Sequence, residues 1–210
     1  MKVAIPADVE LARRALARDA DAFRIIMQMH NQRLYRIARA LTGNNGEAED
    51  IVQEAYVKAF AHFAEFRGES SLSTWLCRIV VNEALGRLRR QRLGAAFAKS
   101  AASENSDDPE RTVAQRQILN LVERAIDTLP GAYRVVLVAR AIEGLSIDQT
   151  ATLLGLRPET VRTRLHRARR LVRRQLDEQI GPVQLDAFPF RGRRCERLAA
   201  AVLDRFDLPA

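Results

Sequence analysis

A chain of 210 residues that is 47% hydrophobic with a formal net charge of +8 holds enough apolar material for one or two modest cores, and its basic excess points to a polyanionic partner, nucleic acid or an acidic membrane surface. No stretch approaches the roughly 18 apolar residues of a membrane span, so no membrane insertion is expected; Pro6, Asp8 and Glu10 interrupt any secretory signal, so the expected location is cytoplasmic. Cys77 and Cys195 form no C-x-x-C, and with His30, His62 and His166 scattered they make no zinc pattern; both thiols read as ordinary semi-buried groups, and no metal or cofactor is expected.

Apolar residues recur at helical spacing nearly throughout, and no alternating β-branched run is bounded by hairpin turns, so the fold class is all-α. A first helical block over residues 8–92 is punctuated by TGNNG at 42–46 and RGESSLS at 67–73. Within it, AEDIVQEAYVKAFAHF (48–63) is amphipathic: Ile51, Ala55, Phe60 and Phe63 can face inward, leaving Asp50, Gln53, Glu54 and Lys58 on the opposite side. An acidic and amide face on a basic chain suits a basic protein partner and not DNA. The next segment, STWLCRIVVNEALGRLRRQR (73–92), can bury Leu76, Ile79, Val80, Ala84 and Leu88 while Trp75, Arg78, Asn82 and Arg89 share another stripe. An aromatic, an amide and guanidiniums on one face fit single-stranded DNA, whose bases stack or are held by their edges while Arg screens the backbone. Trp75 fits a core position equally well.

GAAFAKSAASENSDDPER (94–111) is small, polar and acidic, cannot bury enough apolar surface to offset its ordering entropy, and reads as a flexible linker over 93–112. A second helical block covers 113–178, broken at LPG (129–131), EGLS (143–146) and GLRP (155–158). Ser146 with Gln149 has the capping-box spacing, and Ile147, Ala151 and Leu154 line the inner face of the helix it starts. Gly155 can take the left-handed turn that ends that helix, and Pro158 suits the first position of the next. The pattern is a helix-turn-helix. In the second helix Val161, Leu165, Ala168 and Val172 recur at i, i+4, i+7 and i+11, so the arginines of PETVRTRLHRARRLVRR (158–174) lie outside, where a recognition helix meets base edges and phosphates. The remaining residues, 179–210, form a C-terminal extension. In RRCERLAAAVLDRF (193–206) Cys195, Leu198, Ala199, Val202 and Phe206 make one apolar stripe on a short amphipathic helix. Isolated helices below about 12–15 residues are marginal in water, so this one should be docked, either on the second block or over a binding surface.

AEDIVQEAYVKAF, FRGESSLSTWLCRIVVNEALGRLRR and LPGAYRVVLVARAIEGLSIDQTATLLGLRPETVRTRLHRAR, in this order and spacing over residues 10–178, resemble bacterial RNA polymerase sigma factors of the sigma-70 family, extracytoplasmic-function (ECF) group. The resemblance implies two small helical domains joined by the linker: sigma-2, which binds the clamp helices of the polymerase β′ subunit and captures the melted −10 strand, and sigma-4, which binds the β flap and the −35 duplex. Carried over by position, Asp50, Gln53 and Glu54 would meet core polymerase. Ser70, Ser71, Trp75, Arg78, Asn82 and Arg89 would hold the −10 strand, and Arg162, Thr163, His166 and Arg167 the −35 element. Gly86 departs from the family, which often carries an acid there, and the position of His166 is variable, which leaves the −35 sequence open. The resemblance also implies an anti-sigma factor as partner. An ordinary duplex-binding regulator would explain the second block but leave the acidic helix and the Trp-Asn-Arg stripe idle, and a membrane-surface adaptor would explain only the charge. No catalytic motif is present, so the chain is not expected to be an enzyme.

Overall fold

The computed structural model describes residues 6–94 and 113–180, and every regular element among them is helical. Helix α1 (Pro6–Leu16) stops where Arg18 takes a left-handed conformation, φ 60°. Asp19 then caps α2 (Ala20–Thr42), its Oδ1 accepting from the amides of Asp21 and Ala22. This break divides the helical block expected over 8–92, and an aspartate ahead of an apolar periodic run is its N-cap signal.

Gly43, at φ 76°, closes α2 by donating its amide to the Arg39 carbonyl, and the Asn44 side chain caps α3 (Asn45–Ala61) by accepting from the Glu47 amide. A 3-10 turn, Phe63–Glu65, leads to α4 (Leu72–Gly94). These helices pack around Ile26, Leu34, Ile37, Ile51, Leu72, Leu76, Val80 and Val81, all essentially sealed from solvent. Each such side chain contributes about 1.5–3 kcal/mol by leaving water, which makes this apolar cluster the main support of the first block. Phe60, Phe63 and Trp75 continue it as a chain of rings, with centroids 5.5 Å apart at each step, and Phe23 meets Phe60 at 4.1 Å.

The second block begins with α5 (Val113–Asp127) and α6 (Gly131–Leu137). A wide π-type turn, Val138–Ile142, then leads through Gly144 to α7 (Ile147–Leu154) and α8 (Pro158–Ile180). Val135, Val136, Leu137 and Ala139 are buried, and α6 and the π-type turn lie against α2 while α7 reaches α4. The chain through Gln175 is one compact unit; beyond it only the last residues of α8 are described. Leu93 and Gly94 complete α4, and the rest of the expected linker, the whole segment 181–210 with its expected helix at 193–206, and Cys195 fall outside the described residues.

Cys77 is buried on α4, and burial pushes its thiol up to about 12, so the thiolate needed for redox or metal chemistry is disfavoured. His30 on α2 is 8% exposed, and its Nε2 makes no hydrogen bond. Burial lowers its pKa from 6.5, so the unfolded chain takes up this proton before the folded one does. Stability at His30 is present above that value and is lost as pH falls through the unfolded pKa towards the folded one. The melting temperature is expected to drop between pH 7 and about 5.5, above the ordinary carboxylate range, and His30→Leu should flatten that dependence in melts followed by circular dichroism.

Candidate nucleic-acid interface

Local chemistry fixes the α7–α8 corner. The Gln149 amide donates to Ser146 Oγ at 3.1 Å and the Ser146 amide to Gln149 Oε1 at 2.8 Å, so the capping box is complete. Gly155 has φ 62°, and the Leu156 amide reaches back to the Ala151 carbonyl at 2.9 Å, which ends α7 and turns the chain into Pro158. Ala151 is buried and Ile147 and Leu154 are half-buried, as the spacing requires; Thr150 and Leu153 are buried as well, because this two-turn helix is enclosed on more than one side.

On α8, Val161, Leu165 and Ala168 are buried and Val172 half-buried, leaving Arg162, Thr163, His166 and Arg167 exposed together on the first three turns. Arg169, Arg170, Arg173 and Arg174 are exposed further along, whereas Arg164 is half-buried and does not belong wholly to the outer face. The outward side chains are lightly engaged. Arg162 Nη1 lies 3.5 Å from Glu159 Oε1, Arg167 Nη1 donates to the Tyr133 hydroxyl at 3.5 Å, and Thr163 Oγ1 donates to the Glu159 carbonyl at 2.9 Å. One acid among so many guanidiniums leaves a strongly positive stripe, suited to phosphates along its length and to base edges at its N-terminal end.

Asp50, Gln53 and Glu54 are exposed together on α3, beside a cleft of about 580 Å³. Sequence reasoning missed what borders them. Val57 is 64% exposed in the middle of the polar face. Arg87 Nη1 pairs with Asp50 Oδ2 at 3.3 Å, and Lys58 lies between Glu54 and Glu83. The Lys58 ammonium holds the Glu83 carboxyl below the usual carboxylate range, and Arg90 adds a second contact at 3.3 Å. The bases of α4 thus neutralise part of the acidic face and leave Gln53 and Glu54 at its outer edge.

On the loop before α4, Ser70 and Ser71 are half-buried, and Ser71 Oγ accepts from the Thr74 amide at 3.2 Å, so it caps the helix. The Asp8 carboxylate satisfies the next donor, the Leu72 amide, at 3.0 Å. Arg78, Asn82 and Arg89 are exposed on one side of α4. Trp75 is half-buried, its ring stacked on Phe63 and tilted against Phe66, so its indole leans into the core and does not stand free with the other three. A second cleft, about 660 Å³, is lined by Ser71 and Thr74 on one side and by Ser146 and Arg162 on the other, which brings the loop and the start of α8 to a common space. Among the described residues no group of three or more His, Cys, Asp or Glu side chains could hold a metal ion, and no helix is long and apolar enough to cross a membrane.

Residues 26–93 match the family model described as Sigma-70 region 2, and residues 119–172 the model described as Sigma-70, region 4. The chain is 34% identical over 169 residues to the ECF RNA polymerase sigma factor SigW of Bacillus subtilis (strain 168), an alignment covering 75% of this chain and 90% of that one. Among solved structures, CnrH in complex with the cytosolic domain of CnrY is 26% identical with a TM-score of 0.58, covering 82% of this chain and 98% of that one. The sigma factor RpoE in its co-crystal with the anti-sigma factor NepR, from Bartonella quintana, has a TM-score of 0.63 at 23% identity, covering 74% and 96% respectively.

Proposed function

We propose, from the premise that this chain belongs to the extracytoplasmic-function group of RNA polymerase sigma factors, that it selects promoters by reading two separate DNA elements with its two helical blocks. As a sigma factor it directs RNA polymerase in transcription initiation. The finer reading assigns the −35 duplex to α8, with Arg162, Thr163, His166 and Arg167 entering the major groove and the later arginines holding phosphates. It assigns the melted −10 strand to Ser70, Ser71, Arg78, Asn82 and Arg89, with Trp75 supporting the loop from the core side. Unstacking a base for capture costs a few kcal/mol, which a shaped pocket beside α4 can offset.

The observation that carries this reading is the division of α8: Val161, Leu165 and Ala168 are buried behind a fully capped α7, while Arg162 to Arg167 present their exposed members to solvent on the other side. The acidic face gives the reading its second half. Asp50, Gln53 and Glu54, with exposed Val57 among them, form a surface unlike a DNA-binding one and suited to the clamp helices of β′, and the second block would meet the β flap. CnrH and RpoE were each solved with a bound partner, CnrY and the anti-sigma factor NepR, which supports an anti-sigma factor as partner here. The bond-forming chemistry then belongs to the polymerase, so this chain is no enzyme, and it works in the cytoplasm where the template lies.

Transcription in vitro by core polymerase on a library of randomised promoters tests the reading. Promoter-specific transcripts sharing two spaced elements are expected, and none should form without this chain. Arg162→Ala should change which −35 sequences are used, since a base contact is worth about 1–3 kcal/mol of discrimination; uniformly weaker use of the same sequences would make Arg162 a phosphate contact. Reversing charge with Asp50→Lys and Glu54→Lys should weaken capture of core polymerase while helicity stays, because like-charge juxtaposition costs several kcal/mol across a contact. Undiminished capture by that double variant would remove the acidic face from the interface.

A further inference from the structure

Glu143 is the acid most deeply engaged between the two blocks: its side chain is 6% exposed, against 34% for Arg33 and 41% for Arg36. Arg33 Nε donates to Glu143 Oε2 at 2.9 Å, Arg36 Nη1 to Glu143 Oε1 at 3.3 Å, and Arg33 Nη2 to the Glu143 carbonyl at 3.1 Å. The remaining edge of the same guanidinium, Nη1, donates to Ser73 Oγ at 3.0 Å, two residues beyond Ser71. Local backbone aims Glu143 this way. Its amide closes the π-type turn on the Val138 carbonyl at 2.9 Å, Gly144 follows at φ 66°, and the Leu145 amide returns to the Ala139 carbonyl at 3.0 Å. A carboxylate and a carbonyl together therefore satisfy a rigid fork of donors on α2, and such a fork also matches two oxygens of a phosphate.

The packing described here is not one in which both elements could be read. Positions −35 and −10 are about 25 steps apart, roughly 85 Å along a duplex at 3.4 Å per step, whereas Ser71 and Arg162 line a single cleft. Region 4 must leave region 2 for DNA to engage both, and its departure uncovers Arg33 and Arg36 next to the loop assigned to the −10 strand. We infer that Arg33 and Arg36 form a backbone-phosphate site for that single strand, and that Glu143 fills this site as an internal stand-in while the blocks are packed together. The inference rests on the −10 assignment of the loop and adds two DNA contacts and an autoinhibitory acid to it.

The test measures, by fluorescence anisotropy at low salt and without polymerase, binding of a labelled single-stranded oligodeoxythymidine of about 12 nucleotides, within the usual span of single-strand sites. Glu143→Gln keeps shape and removes charge. It should tighten binding about fivefold, the low end of ordinary coupling between sites, beyond the effect of Glu49→Gln, which makes the same change in net charge on the exposed surface of α3. Adding Arg33→Gln and Arg36→Gln should cancel that gain, while adding Arg13→Gln and Arg24→Gln, two exposed arginines of α1 and α2, should leave the gain in place. Equal binding by the Glu143 and Glu49 variants overturns the inference, and so does a gain that survives loss of both arginines. Transcription by the parent with core polymerase, run alongside, reads the sigma-factor assignment separately: its failure would sink that assignment, whereas the oligonucleotide result speaks only to the phosphate site.

Discussion

Arg33, Arg36 and Arg39 recur along one edge of α2, and each meets an acid from a helical block more than 80 positions away. Glu143 takes the first two, and Asp127 takes Arg39 at 2.8 Å. Arg134 crosses in the other direction, its Nε donating to the Ala40 carbonyl at 2.9 Å, and burial lowers its pKa below the ordinary arginine range. The adjoining face of α2 is apolar, with Ile26, Leu34 and Ile37 sealed from solvent where the helix packs on α3 and α4. One helix thus packs into its own block by hydrophobic burial and meets the other through ion pairs that flank the buried apolar residues of α6 and the π-type turn. One partner of each pair stays in reach of water, since Arg33, Arg36 and Asp127 keep 34%, 41% and 41% of their side-chain exposure, so these charges are the part of the seam that salt can weaken.

Close approach across the seam depends on small residues as well as charges. A Cβ on Gly43 would lie 2.9 Å from Arg134 Nη2, and Gly43 also sits at φ 76°, so it both ends α2 and leaves room for the guanidinium. The π-type turn has the complementary task at the other end of the seam. An α-helical ending there would carry Glu143 around the axis, away from the α2 edge. Irregular turns of this kind are commonly retained where they aim a functional group.

What was legible in the sequence was local. Ser146 with Gln149, Gly155 and Pro158 announce the helix-turn-helix because each acts on backbone within a few residues, and the Val161, Leu165, Ala168 stripe follows from helical period alone. The resemblance to sigma factors rests on the same short-range motifs, and the family matches bear it out. Side chains whose partners are distant in sequence were not legible. Arg33 and Glu143 are 110 positions apart, and nothing in EGLS marks its glutamate as buried. Trp75 was undecidable for a related reason: periodicity puts it at the border of both stripes of α4, and only the positions of Phe63 and Phe66 draw it inward. The Lys58–Glu83 pair likewise joins side chains 25 positions apart, one on α3 and one on α4.

A chain with a net charge of +8 and an exposed arginine stripe would bind any polyanion in reach, and non-specific binding of that kind is almost wholly electrostatic. The seam offers a physical way to restrain it. An affinity that needs a rarely populated open form is reduced by the fraction open, so a form populated at about 1% lowers binding to stray DNA roughly a hundredfold. A protein partner that binds the acidic face of α3 gains energy without DNA and without the arginines, and if it also favours separation of the blocks it lifts that reduction only where the polymerase is present. On the proposed two-element reading, two weak DNA surfaces on one open chain would act together, the second binding step becoming intramolecular. Selectivity would then come from requiring both elements at once, and the acid between the blocks would set how strongly that requirement is enforced.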